Sequence, residues 1–245
     1  MDERVKVVEG ENSLIYEDIE KLSVNEIINM LRCHSASLTT YISVLITPKR
    51  AVSLDEPLKK LGYEYADTTV FVYKNLADHR VGQSSAITLK PVKEFSEAFF
   101  VKIWGEVMEG SWNPPSSLSI DEHMASLKKE IGEDYQTSCL LAFENDTPIG
   151  AVIPHIEPGT GGEGRLFYIG ILPEFRAYGR AKYVHSLALE SLKKDFSATH
   201  YIGSTSHNNI PMLKAFTHNG CKELVRKRVY KKKYSDRGEK KYFCR

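Results

Sequence analysis

The stretch Ile171-Leu172-Pro173-Glu174-Phe175-Arg176-Ala177-Tyr178-Gly179-Arg180-Ala181 decides the reading of this chain. It follows residues 165–171, where Leu166, Phe167, Tyr168 and Ile169 run almost without a polar break until Pro173 closes the run, as in a buried central strand. It precedes a segment with Ala181, Val184, Ala188 and Leu192 on one face and Lys182, Glu190, Lys193 and Lys194 on the other, an amphipathic helix. Between strand and helix, Gly179 and Ala181 keep bulky side chains away. Several backbone N–H groups and the positive end of the helix dipole can then converge on one anion. Arg176, Arg180 and Lys182 add positive charge, so the loop suits a pyrophosphate.

Downstream, residues 199–205 read as a strand, Asn208 and Asn209 as helix N-caps, and Pro211 as a first-turn residue. Met212, Leu213 and Phe216 form the buried stripe of that helix, which Gly220 ends. Upstream, residues 86–89 suggest a short strand and 93–108 a helix. Ser119 with Glu122 forms a capping box. Strands are expected near 137–143 and 149–156, joined by a turn at Asn145-Asp146-Thr147-Pro148. The polar stretch 78–85 reads as a linker, which divides the chain into residues 1–82 and 83–245.

Residues 1–82 echo the C-terminal half. Ser23 and Glu26 box a helix striped by Val24, Ile27, Ile28 and Leu31; residues 38–46 alternate as a strand; a short helix stops at Gly62; and residues 68–73 are β-rich. Asp55-x-Pro57 lies where Asn209-x-Pro211 would, and Val72-Tyr73-Lys74 echoes Val229-Tyr230-Lys231. This segment is read as a degenerate half-repeat.

The loop resembles the R/Q-x-x-G-x-G/A signature of the GNAT N-acetyltransferase superfamily, and Asn209, Met212, Phe216 and Gly220 match its N-x-x-A-x-x-x-Y/F-x-x-x-G element at the right distance. The resemblance covers roughly residues 85–234. It implies a mixed α/β fold of the acyl-CoA N-acyltransferase type, a twisted and mostly antiparallel sheet flanked by helices, here preceded by the smaller α/β half-domain. It further implies acetyl-CoA as co-substrate and an amine as acceptor. Pantetheine would meet the backbone of Ile169, Gly170 and Ile171, and pyrophosphate the loop of Arg176, Ala177, Tyr178, Gly179, Arg180, Ala181 and Lys182. Asn209 and Phe216 would contribute from the second helix. Many family members carry a tyrosine acid at the position of Phe216, which has no proton to give. For the base, Glu163 is the first choice and His207 the second, ahead of His155 and Glu157. Trp112 could line the acceptor side.

Composition excludes collagen-like, disordered and coiled-coil classes. No stretch suits a bilayer span or a signal peptide, and Cys33, Cys139, Cys221 and Cys244 stand too far apart for a metal or disulfide framework. A cytoplasmic protein without a metal is expected. Residues 226–245 hold ten basic residues against two acidic ones, a local +8 that leaves −7 for the rest of a chain of net charge +1. The lysines there suit an edge strand that resists further pairing. Rival functions are a non-catalytic acyl-CoA-binding module and, ranked last, a nucleic-acid binder using the basic tail. Nothing in the sequence sets the acceptor or the oligomeric state.

Overall fold

The computed structural model describes residues 4–9, 13–33, 41–81, 86–116 and 118–234. They gather into two compact units, one of residues 1–69 with 225–245 and one of 70–224, a partition that differs from the division at 82 and 83. The difference arises because the last strand makes its neighbours among the first residues.

In the first unit, β1 (Lys6–Glu9), β2 (Ser13–Glu17), β3 (Tyr41–Ile46) and β10 (Lys222–Lys233) lie side by side, with helices α1 (Val24–Cys33) and α2 (Pro48–Lys60). β10 runs antiparallel to β3, with Tyr230 opposite Val44. Its core joins Leu14, Tyr16, Ile27, Ile42, Val44, Leu54, Leu58 and Tyr230. The Ser23–Glu26 capping box forms in both directions, at 2.7 and 3.2 Å.

Three expectations change here. β10 is not an edge strand: β3 lies on one side and, in the same unit, the first half of β4 (Glu64–Asn75) on the other, where Tyr65 meets Tyr230, and Lys227 is buried against Asp18 at 2.7 Å. Pro57 does not open its helix, which begins at Pro48 after Thr47; Pro48 has the first-turn place that needs no N–H. β1 and β2 were not expected, although β2 alternates as a half-buried strand should, with Leu14 and Tyr16 inward.

In the second unit the strand order is residues 70–75 of β4, β9 (His200–Ser206), β8 (Glu163–Ile171), β7 (Thr147–Ile156), β6 (Leu140–Glu144), β5 (Ile87–Pro91). β5 to β8 are antiparallel neighbours, whereas β8 and β9 are parallel. Helix α3 (Glu97–Met108) packs Phe100, Ile103, Trp104 and Val107 on one face of the sheet, against Leu141, Ala151 and Ile153. α4 (Ile120–Ile131) joins it, with the Ser119–Glu122 box complete. α6 (Arg180–Lys194) and α7 (Ile210–His218) supply Leu189, Leu192, Met212 and Phe216 to a cluster with Val70, Val72 and Tyr201.

Local boundaries shift for local reasons. α3 starts only after Ser96, whose hydroxyl accepts from Phe99 N at 3.1 Å, and residues 92–94 make a separate 3-10 turn. The strand expected from 137 begins at Leu140, because Tyr135–Ser138 form a helical turn, α5. One close approach depends on glycine: a Cβ on Gly170 would stand 2.4 Å from Val107 Cγ1, so α3 can lie on β8 only where no side chain intervenes.

Candidate acyl-CoA site

β8 and β9 start together and then part. Among the described residues their parallel pairing is confined to Glu163 with His200 and Gly164 with Tyr201. Beyond it opens a cavity of about 720 Å³, lined on the β8 side by Tyr168, Ile169, Gly170 and Ile171, on the loop side by Arg176, Ala177, Gly179, Arg180, Ala181 and Lys182, and on the α7 side by Asn209 to Met212. The expected backbone and loop residues are thus brought together. Tyr178 and Phe216 are the exceptions. Tyr178 is exposed on the outer side of the loop, and Phe216 is buried against His185 and Tyr201.

The loop turns through two left-handed residues, Ala177 at φ +71° and Gly179 at φ +73°. Gly179 occupies the N-cap of α6, no side chain caps that helix, and its first-turn residues Arg180, Ala181 and Lys182 line the cavity. The left-handed Ala177 was not foreseen, as alanine carries no sequence signal for that conformation.

Two of the three loop cations are committed to the protein. Arg176 donates to the carbonyls of Ile171, Gly110 and Val107, each at 2.9 Å, and so braces the loop against the end of α3. Arg180 pairs with Glu144 at 2.6 Å, and its guanidinium lies over the rings of Phe175 and Tyr178. Glu144 holds the Arg180 pKa above its ordinary value. Lys182 stands over Tyr183, 4.9 Å from the ring centre.

Asn113 is the residue the sequence reading passed over. Its carbonyl oxygen accepts from Thr205 Oγ1 at 3.0 Å, Ser206 N at 3.2 Å and Asn209 Nδ2 at 3.1 Å, tying the segment after α3 to the end of β9 and the start of α7. Asn209 in turn accepts from Met212 N at 3.2 Å, the cap expected of it. Trp112 beside Asn113 lines the cavity and is 62% exposed. Across from them the Tyr168 hydroxyl donates to Val107 O at 3.4 Å, and burial pushes its pKa up to about 12.

The carboxylates lie elsewhere. Glu163 is held by Arg165 at 2.7 Å with His200 at 3.8 Å, at the closed end of the strand pair, and neither it nor His207 lines the cavity. His155 and Glu157 form a separate group with Glu130, their ligand atoms within 4.8 Å of one another. Burial opposes a charge on His155, but Glu130 and Glu157 outweigh it and raise its pKa, while Arg165 faces Glu157 at 3.3 Å. Arg165 thus supplies a cation to this carboxylate group.

Comparison with known proteins bears on the fold and the family. Residues 101–220 match the Acetyltransferase (GNAT) family. Similar solved structures include a GCN5-related N-acetyltransferase from Sphaerobacter thermophilus, 15% identical with a TM-score of 0.58 over 94% of this chain and 76% of that one. Another, from Kribbella flavida, is 12% identical with a TM-score of 0.55 over 93% and 89%. A tandem GNAT protein from the clavulanic acid biosynthesis pathway is 10% identical with a TM-score of 0.57 over 95% and 79%. At these identities the likeness speaks for the fold alone. No curated protein matches the sequence. Fold and family together define an acyltransferase of the GNAT type. Residues 101–220 form a GNAT acetyltransferase segment, and the surrounding fold is that of GNAT proteins. No helix among the described residues is long and apolar enough to cross a membrane.

Proposed function

We propose that the chain moves an acetyl group from acetyl-CoA to an amine by direct attack. One observation carries the reading: the cavity runs from the parted edge of β8 to an uncapped helix N-terminus whose entry residue, Gly179, is left-handed and bare. A pantetheine amide needs the first and a pyrophosphate the second. When bound, acetyl-CoA supplies the activated thioester. The chain's own residues do the rest: the backbone of Ile169 to Ile171 aligns the arm, the α6 N-terminus and Lys182 hold the phosphates, and Asn209 and Asn113 fix the α7 wall.

Tyr168 is the proposed proton donor to the leaving thiolate, in place of the tyrosine that Phe216 replaces. Its phenol lines the cavity and stays protonated through the neutral range. No carboxylate lines the cavity among the described residues, so Glu163 and His207 are proposed as bases that act through water. A cytoplasmic setting belongs to this reading, supported by the buried free thiols of Cys139 and Cys221. Residues 1–82 are proposed to be a degenerate half-repeat with a packing role.

A second reading, an acyl-CoA-binding module without turnover, draws on the same missing carboxylate and on the burial of Phe216. Thiol release from acetyl-CoA in the presence of a panel of amines separates the two. Amine-dependent release supports transfer, and tight binding without release supports the module. The basic tail beyond residue 234 lies outside the described residues.

A further inference from the structure

A second cavity, of about 320 Å³, shares Lys182 and His218 with the large one. Lys74 from the end of β4, Arg80 from the segment after it and Lys182 from the first turn of α6 all line it, and Asp78 is the one carboxylate among its lining residues. Its walls are fixed by a set of side-chain bonds to backbone carbonyls. Lys193 Nζ donates to Ala77 O at 2.7 Å and His79 O at 3.1 Å, and the His79 ring bonds Ser186 O at 2.9 Å. These contacts clamp residues 77–79 to α6, next to Arg80. Asn219 Nδ2 donates to Lys182 O at 2.8 Å, which binds the end of α7 to the same turn. Lys74 reaches over bare backbone: a Cβ on Gly220, at φ +74°, would stand 3.3 Å from its Nζ.

Cations from three separate elements therefore converge on a small polar recess that opens beside the phosphate-binding end of the large cavity. In the large cavity's loop, Arg176 and Arg180 are already engaged by carbonyls and by Glu144, and Lys182 is the cation common to both spaces. We infer that the recess binds a phosphomonoester dianion, and that its occupant is the ribose 3′-phosphate of the acyl-CoA seated in the large cavity. This rests on the proposed function, which supplies the ligand. Lys74 and Arg80 then lie outside the matched family segment, so nucleotide selectivity is furnished by residues preceding it.

Calorimetry on the full chain with CoA and with 3′-dephospho-CoA tests the assignment. Wild type should bind CoA about ten-fold or more tightly than dephospho-CoA, the worth of one charge-assisted contact pair. Lys74→Gln and Arg80→Gln should each narrow that ratio while dephospho-CoA affinity stays unchanged; Arg80 is exposed and its change leaves packing alone. Inorganic phosphate should compete more strongly with CoA than with dephospho-CoA, which keeps the pyrophosphate but lacks the monoester. Equal affinities in wild type, or variants that weaken both ligands alike, would overturn the inference. Phosphate binding at Lys74 and Arg80 without any preference for CoA would assign the recess to a free anion and overturn it as well. If neither nucleotide binds, the proposed function fails and this assignment with it.

Discussion

Glu144 and Arg180 meet at 2.6 Å across the first turn of α6, and the pair sets one of the loop's positive charges against a carboxylate on β6. Arg180 lines the cavity, so Glu144 tempers the field that a pyrophosphate would meet. Glu144→Gln is expected to tighten CoA binding about three-fold, with the gain shrinking as salt is added. Calorimetry at two ionic strengths checks this. Weaker binding in the variant would mean that the pair's role is to hold Arg180 in place.

Gly179 gives a sharper test of the loop. Its φ of +73° is one that a β-branched residue adopts at a cost of about 1–2 kcal/mol, and nothing crowds the position except Lys182 at 3.6 Å. Gly179→Val should therefore fold, lower the melting temperature slightly and reduce CoA affinity at least about ten-fold. Unchanged affinity would remove the phosphates from this loop.

Gly170 controls how closely α3 approaches β8. Gly170→Ala places a methyl 2.4 Å from Val107 Cγ1, an overpacking worth about 1–3 kcal/mol. Adding Val107→Ala should recover part of the lost stability, and denaturant titration of the single and double variants measures it. Additive losses would show that the clash is relieved by movement elsewhere.

Tyr168→Phe tests the proposed acid. The expected result is a fall in kcat of about 100-fold with KM little changed, because the phenol is offered to the leaving thiolate and not to the bound ground state. Since burial raises its pKa to about 12, no alkaline loss of rate below that pH should trace to Tyr168. A variant with full activity would return the proton to water.

His185 makes stability depend on acid. It is fully buried with its ring edge-on to Tyr201 and Phe216, and burial, with His79 and Lys74 adding to it, lowers its pKa to about 3. Between that value and its ordinary 6.5 the unfolded chain binds the extra proton, so stability is present above pH 6.5 and drains as pH falls towards 3. The loss is on the order of 5 kcal/mol at its limit. His79 shifts in the same direction, whereas the raised His155 acts oppositely as pH rises. Melting curves from pH 7 to 4 should be flatter for His185→Gln, which keeps an acceptor for Asn219; parallel curves would exonerate His185.

The strand, loop and helix around Gly179 are legible in the sequence because each obeys a local rule: a continuous apolar run, a bare turn and a striped helix. The caps at Ser23, Ser119 and Asn209 are legible for the same reason. What the sequence conceals is long-range. Arg176 reads as a loop cation, and only the fold reveals that it also meets the carbonyls of Val107 and Gly110. Asn113 has no motif, and its three donors come from residues about ninety positions away. The lysines of β10 look like an edge until a strand is found on either side.

The place of β10 also has a meaning in time. The first unit is closed by partners as far apart as Asp18 and Lys227, 209 positions along the chain, and by Tyr230 donating to Asp55 at 2.6 Å. On a ribosome adding roughly 5–20 residues per second, the N-terminal strands emerge and wait roughly ten seconds or more for the strand that completes them. Most of residues 70–224 emerge within that interval, but Met212, Phe216 and Cys221 of their core arrive only at its end. The unit of residues 4–69 thus stays open at the edge of β3 until β10 arrives, and that unpaired edge is what a chaperone has most to protect during synthesis.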